Sequence, residues 1–229
     1  MRLMIFTLTV ALGCAPLFGK DDKSTTDARL DDAATLFTEI MGSPDKSIPQ
    51  DLLNKAQCMV LVPGLKKGAF VVGGKFGRGY AVCRREGGQG WGPPAAIRIE
   101  GGSFGLQIGF SSSDVILLVM NESGMKKLNQ DKFTIGAEAT AAAGPVGRDA
   151  TAQTDAMMHA EILSWSRSRG VFAGVSLDGA TLRNDLDENK VMYGQRWTSS
   201  EILFSGAKPP AGGEKLISIL NKYSPRKTS

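Results

Sequence analysis

The hydrophobic positions along this chain change their spacing near residue 57. Between Thr26 and Met41, the residues Leu30, Ala33, Ala34, Phe37, Ile40 and Met41 recur at the step of a helix, while Arg29, Asp31, Asp32 and Glu39 take its other face. Thr26 or Asp27 supplies an N-cap, Gly42 a stop, and Pro49 suits the first turn of a short second helix over 50–56. From Cys58 the period shortens. CMVLV, AFVVGG, GYAVC, AAIRIEGG, GLQIGF and DVILLVM are short apolar runs parted by Pro-Gly, Gly-Gly and polar turns, which predicts a β-meander of five or six strands. KFTIGAEATAAA continues it beyond a polar segment at 121–130 that reads as a helical turn. Strands are expected near 160–167 and 171–177, a short helix over 185–193, and a last helix over 214–223, followed by a basic tail. The fold class that follows is α+β: a single domain, mainly antiparallel sheet or a partly closed barrel, with N-terminal and C-terminal helices packed on it.

The first residues stand apart from that pattern. Arg2, an apolar run from Leu3 to Leu12 and small residues thereafter read as a secretory signal peptide over 1–19, cut near Gly19. Leu12-Gly13-Cys14 also resembles a lipobox, so lipidation at Cys14 stands beside plain secretion. Either reading predicts an exported protein, periplasmic or secreted, and anchored to the envelope in the lipidated case. Loss of the leader lowers the formal charge from +4 to +3, too little for a whole-protein attraction to nucleic acid. The remaining 20–229 has the composition of an ordinary globular chain, with 42% hydrophobic and 22% charged residues overall. Cys58 and Cys83 then remain in an oxidising compartment, each inside a β-like run. They read as a cross-strand disulfide or as two buried thiols. A single histidine and no CxxC pair argue against a metal site.

The stretch VVGGKFGRGY, residues 71–80, invites a nucleotide reading that its spacing rejects. A P-loop on Gly74-Lys75 needs glycine at 69 and a hydroxyl residue at 76, which are Ala69 and Phe76; a dinucleotide fingerprint on Gly77 and Gly79 needs glycine at 82, which is Val82. Ser123-Gly124-Met125-Lys126 is an SxxK sequence that lacks its SDN and KTG companions, and His159-Ala160-Glu161 lacks the PCxxC of a zinc deaminase. No enzyme and no cofactor are expected. The carboxylates Asp31, Asp32, Asp185, Asp187 and Glu188 fall on expected helices and read as solvated faces. GGKFG at 73–77 and GGSFG at 101–105 form a weak internal echo. What remains is cationic: Lys66 and Lys67 in an expected turn, Lys75 and Arg78 in the glycine-rich stretch, Arg84 and Arg85 just past a strand. Neighbouring turns would gather several of them as an anion-binding rim; read singly they are solvated turn charges.

Several longer stretches resemble the SYLF family of lipid-binding domains: AQCMV at 56–60, KKGAFVVGG at 66–74, Gly77-Arg78-Gly79, Gly90-Trp91 with Pro93-Pro94, and GGSFGLQIG at 101–109. Val119-Met120-Asn121, FTIG at 133–136, AGPVGR at 143–148, SRSRG at 166–170 leading into Phe172-Ala173-Gly174, and Tyr193-Gly194 extend the match over about 28–195. The resemblance implies a non-catalytic domain. Eukaryotic relatives bind phosphoinositide-containing membranes, and relatives from yeast cortical actin patches bind and bundle actin. Those relatives carry SH3 or FYVE modules, which this sequence does not contain. The expected partner is therefore an anionic lipid or membrane surface, with a protein partner as the alternative. The expected headgroup contacts are Lys66, Lys67, Lys75, Arg78, Arg84 and Arg85. The N-terminal helix is expected to add apolar contact with the membrane.

Overall fold

The computed structural model describes residues 21–43, 47–70, 72–85, 87, 90–104, 109–147, 155–168, 170–175 and 177–225. The expected leader at 1–19 with Cys14, the GLQI at 105–108, Arg148, Arg169 and the end of the basic tail lie outside the described residues.

The described residues begin with α1 (Asp21–Met41) and α2 (Gln50–Lys55) and then enter four long strands, β1 (Cys58–Phe70), β2 (Val72–Cys83), β3 (Ala95–Phe104) and β4 (Gly109–Val119). Shorter elements follow: α3 (Glu122–Leu128), β5 (Lys132–Thr134), β6 (Ala141–Ala143), α4 (Asp155–His159), β7 (Ile162–Ser168), β8 (Val171–Gly174) and β9 (Thr181–Asn184). The chain closes with α5 (Leu186–Tyr193), α6 (Ser199–Leu203) and α7 (Glu214–Tyr223). All nine strands share one curled, mostly antiparallel sheet in the order β5-β9-β3-β2-β1-β4-β7-β6, with β8 paired to β7 and only β6–β7 parallel. The expected α+β class, antiparallel sheet and terminal helices are the ones observed.

Three details differ from the sequence reading. First, Pro63-Gly64 does not turn the chain: β1 passes straight through it by a register shift between Leu61 and Lys66, with Gly64 at φ 63° and its N–H donated to Asp114 Oδ1 at 2.8 Å. CMVLV and the start of AFVVGG are therefore one strand, and Lys66 and Lys67 lie within it rather than in a turn. Secondly, the four long strands stand 3-2-1-4, a Greek key rather than a meander. The echoing glycine segments are partners across this arrangement, Gly73 opposite Ser103 and Gly74 opposite Gly102. Thirdly, α4, β9 and α6 were not expected from the sequence, although Thr198-Ser199-Ser200-Glu201 is a readable capping-box pattern for α6. α6 is short and rests on a capping box, in which Thr198 and Glu201 bond each other's backbone N–H.

Alternate residues of the central strands feed two cores. Met59, Leu61, Tyr80, Val82, Ile116, Leu118 and Trp165 meet α1, α2 and α7 on one face; Val60, Val62, Val115, Leu117 and Cys58–Cys83 meet Phe133, Leu182 and Ile202 on the other. The cysteines are opposed in register and joined as a disulfide. The apolar stripe of α1, from Leu30 through Phe37 to Ile40, is wholly buried in the first core. That face is consequently not available to a membrane while α1 is docked.

Close approach of β1 and β2 explains one glycine of the VVGGKFGRGY stretch. A Cβ on Gly79 would stand 2.1 Å from the Leu61 carbonyl oxygen, whereas one on Gly102 meets nothing within 4 Å. Gly79→Ala is expected to cost about 3 kcal/mol in urea unfolding, by forcing the strand backbones apart. Gly102→Ala should change stability by no more than about 0.5 kcal/mol; equal effects of the two would disprove the close approach.

Candidate functional site

The covering elements stop short of one end of the sheet. β7 pairs with β4 only over Asp114–Val119, and β9 pairs with β3 only over Ile97–Glu100. Beyond these limits β3, β2, β1 and β4 run on as a four-stranded ribbon. Lys67 and Lys75 face each other directly across β1 and β2, and Lys66 faces Phe76 on the opposite side. Phe110 pairs with Gly68 and so shares the Lys66–Phe76 side, its ring lying where a Cβ on Gly68 would come within 2.9 Å. Phe110 is 97% exposed and Phe76 47% exposed, while Ser111 and Ser112 are exposed beside them. Two like charges directly opposed across strands repel. Burial first, and Lys67 second, hold the Lys75 ammonium below the usual lysine value, against the attraction of Asp178.

The three arginines of the expected rim lie elsewhere. Arg78 points to the helix-covered face, where its Nε is 3.0 Å from Asp185 Oδ2 and its Nη1 3.8 Å from Glu188 Oε2. Arg84 is buried at the far end of β2, its guanidinium 4.2 Å from the Trp91 ring centroid. It donates to the carbonyls of Leu53 and Ala56, closing the C-terminal end of α2, and to Ser224 after α7. Arg85, also at that end, donates its Nε to the Trp91 carbonyl at 3.1 Å. The fold thus gathers Lys66, Lys67 and Lys75 and separates the arginines from them.

Asp185 and Glu188 are not on a solvated face. Asp185 is 0% and Glu188 4% exposed, and the Asp185 side chain caps α5 by accepting the Glu188 N–H at 3.3 Å. Around them stand Arg29 of α1, paired with Glu188 Oε1; Arg78 of β2; and Arg98 of β3, whose Nε is 3.6 Å from Asp185 Oδ2. The Tyr80 hydroxyl donates to Glu188 Oε1 at 2.6 Å and lies 3.1 Å from the Thr26 carbonyl. Burial, together with that carboxylate, pushes the Tyr80 phenol far above its usual pKa, so it stays a donor. Three guanidiniums on two carboxylates bind α1, β2, β3 and α5 into one unit.

The remaining motifs have local roles. Ser123 Oγ donates to Glu161 Oε1, and Glu161 Oε2 accepts the Thr140 N–H at 2.7 Å, tying α3 to the start of β7. Against its partial burial, these bonds hold the Glu161 carboxyl below its ordinary value. Ser123 thus pairs with a carboxylate that is already occupied. His159 is the last residue of α4. No group of three or more metal-ligating side chains occurs among the described residues.

Sequence reasoning missed Phe76, Phe110 and Arg98, and misplaced Asp185 and Glu188. Phe110 leaves one trace, an aromatic residue directly before three serines.

Comparison with known proteins follows the same outline. A family model described as "Ysc84: Las17-binding protein actin regulator" matches residues 100–223. The chain is 33% identical over 191 residues to the human SH3 domain-containing YSC84-like protein 1, an alignment spanning 82% of this chain and 55% of the relative. The rat protein of the same name gives 32% over 191 residues, spanning 82% and 56%. LAS seventeen-binding protein 3 of Saccharomyces cerevisiae (strain ATCC 204508 / S288c) is 31% identical over 179 residues, spanning 77% of this chain and 39% of the relative. The chain therefore spans about half the length of the vertebrate relatives and less of the yeast one.

Glu188→Leu leaves Arg29 and Tyr80 without their buried acceptor and is expected to cost about 3–5 kcal/mol in urea unfolding. Tyr80→Phe should cost about 1–2 kcal/mol. A Glu188→Leu protein as stable as the parent would disprove the structural role of the network.

Proposed function

The chain belongs to the Ysc84 (SYLF) family, and from that membership and the ribbon end we propose that it is a non-catalytic association domain that meets anionic lipid headgroups. The observation that carries the proposal is the ribbon end itself: Lys67 and Lys75 are directly opposed across β1 and β2 on one face, and Lys66 shares the other face with an almost fully exposed Phe110. The opposed pair costs energy in the free protein, and a phosphate between or beside the two ammoniums relieves it. An aromatic side chain next to lysines also suits a membrane interface, where the ring enters the acyl boundary and the charge stays with the headgroups. Arg78 and Arg84, engaged within the fold, fall outside this headgroup set.

The proposal extends to place. With the leader read at 1–19, the anionic surface is that of the envelope into which the protein is exported. A second reading follows from the relatives' names: a Las17-binding or actin-regulator description points to a protein partner for the same domain.

Co-sedimentation with vesicles separates the two. The protein is expected to pellet with phosphatidylglycerol-containing vesicles and not with pure phosphatidylcholine, and to be released as ionic strength rises. Lys67→Glu combined with Lys75→Glu should weaken vesicle binding by at least about tenfold. Phe110→Asp should weaken it without changing the thermal transition. Equal partition to neutral and anionic vesicles would overturn the lipid reading. Absence of vesicle binding together with stoichiometric capture of one envelope protein would replace it with the second.

A further inference from the structure

The opposite end of the strands holds a cleft of different chemistry. It has a volume of about 780 Å³ and opens between α3, the end of α6 and the residues Arg85, Gly92 and Pro93 that follow β2. Small-molecule sites occupy roughly 300–1,000 Å³. Met125, Leu203, Phe204 and Pro93 form apolar wall, Arg85 and Lys208 bring charge beside the internally bonded Arg84, and the described residues that line it include no aspartate or glutamate. Phe204, at the C-cap of α6, is 42% exposed although it lies in a concave site, so its ring is open to a ligand. From Lys75 to Arg84 along β2 is about 30 Å at the usual rise of a strand, so this cleft and the lysine pair are separate sites.

We propose that this cleft binds a single anionic amphiphile, an alkyl chain lying along Met125, Leu203 and Phe204 with its acidic head held by Arg85 or Lys208. The occupant follows from the lining. An uncharged apolar ligand would leave Arg85 and Lys208 unused, and a small polar anion would leave the apolar wall wet. A carboxylate or phosphate on an acyl chain answers both at once. The proposal concerns a monomeric ligand and does not depend on vesicle binding at the ribbon.

Titration calorimetry of the full chain with octanoate, decanoate and dodecanoate, each below its micelle concentration, tests it. Affinity should rise by about fourfold for each added methylene until the chain outgrows the cleft. Decanol, which has the same chain without the charge, should bind at least about tenfold more weakly than decanoate. Phe204→Asp and Met125→Glu should each abolish the binding, and Arg85→Glu should weaken it about tenfold, with the thermal transitions unchanged. Lys67→Glu with Lys75→Glu should leave alkanoate affinity as it is, which distinguishes failure here from failure of the ribbon reading. The proposal is overturned if affinity is independent of chain length or if decanol equals decanoate. It is equally overturned if a folded Phe204→Asp protein binds decanoate as the parent does.

Discussion

A strand buried on both faces has no room for an unpaired charge, and β1 obeys that rule for only part of its length. From Cys58 to Val62 its side chains feed two cores alternately, one under α1, α2 and α7 and one under Phe133, Leu182 and Ile202. At Leu65 the cover is nearly exhausted, and the next residues are Lys66 and Lys67. The polarity of the strand therefore changes where its neighbours β7 and β9 end. Charge appears on the ribbon because packing stops there. It is concentrated there because β1 and β2 bring Lys67 and Lys75 into register. The candidate surface arises as the unfinished end of a core.

The buried ionic cluster decides which other surfaces are free. Desolvating Asp185 and Glu188 is expensive, and they are tolerable only because Arg29, Arg78, Arg98 and Tyr80 converge on them from separate elements. Undocking α1 would remove Arg29 from Glu188 and expose Leu30, Phe37 and Ile40 together. The amphipathic pattern of α1, which by itself suits a membrane as well as a core, is thus assigned to the core by two chains of residues distant in sequence. The membrane contact proposed for this chain therefore falls to the strand ends.

Much of this was legible in the sequence, and the failures have physical causes. Helix α1 and the short strands were readable because their periods are local. The continuity of β1 through Pro63-Gly64 was not, since a Pro-Gly pair favours a turn locally and the bulge that straightens it depends on Asp114, far along the chain. Asp185 and Glu188 were read as solvated because carboxylates on a short helix usually are. Their partners at 29, 78 and 98 are brought to them only by the sheet order, which no period encodes. The same ignorance of strand order scattered Lys67, Lys75, Arg78 and Arg84 into one supposed rim. Alternation along β2 in fact separates Lys75 from Arg78 by face, and distance removes Arg84 to the other end.

Cations are therefore not equivalent markers of function in this fold. Arg84 and Arg78 are guanidiniums, whose planar donor forks satisfy several acceptors at once, and the fold uses both as internal ties. The lysines, compact charges on flexible stems, stand where the sheet is uncovered. Within this sheet the division has a simple basis: a fork can be fully satisfied by carbonyls and carboxylates that the fold itself supplies, whereas Lys67 and Lys75 repel each other across the strands and the Asp178 carbonyl holds Lys75 at 3.5 Å, the limit of hydrogen bonding. In the proposed association, these lysines rather than the arginines are the groups that would meet an external anion.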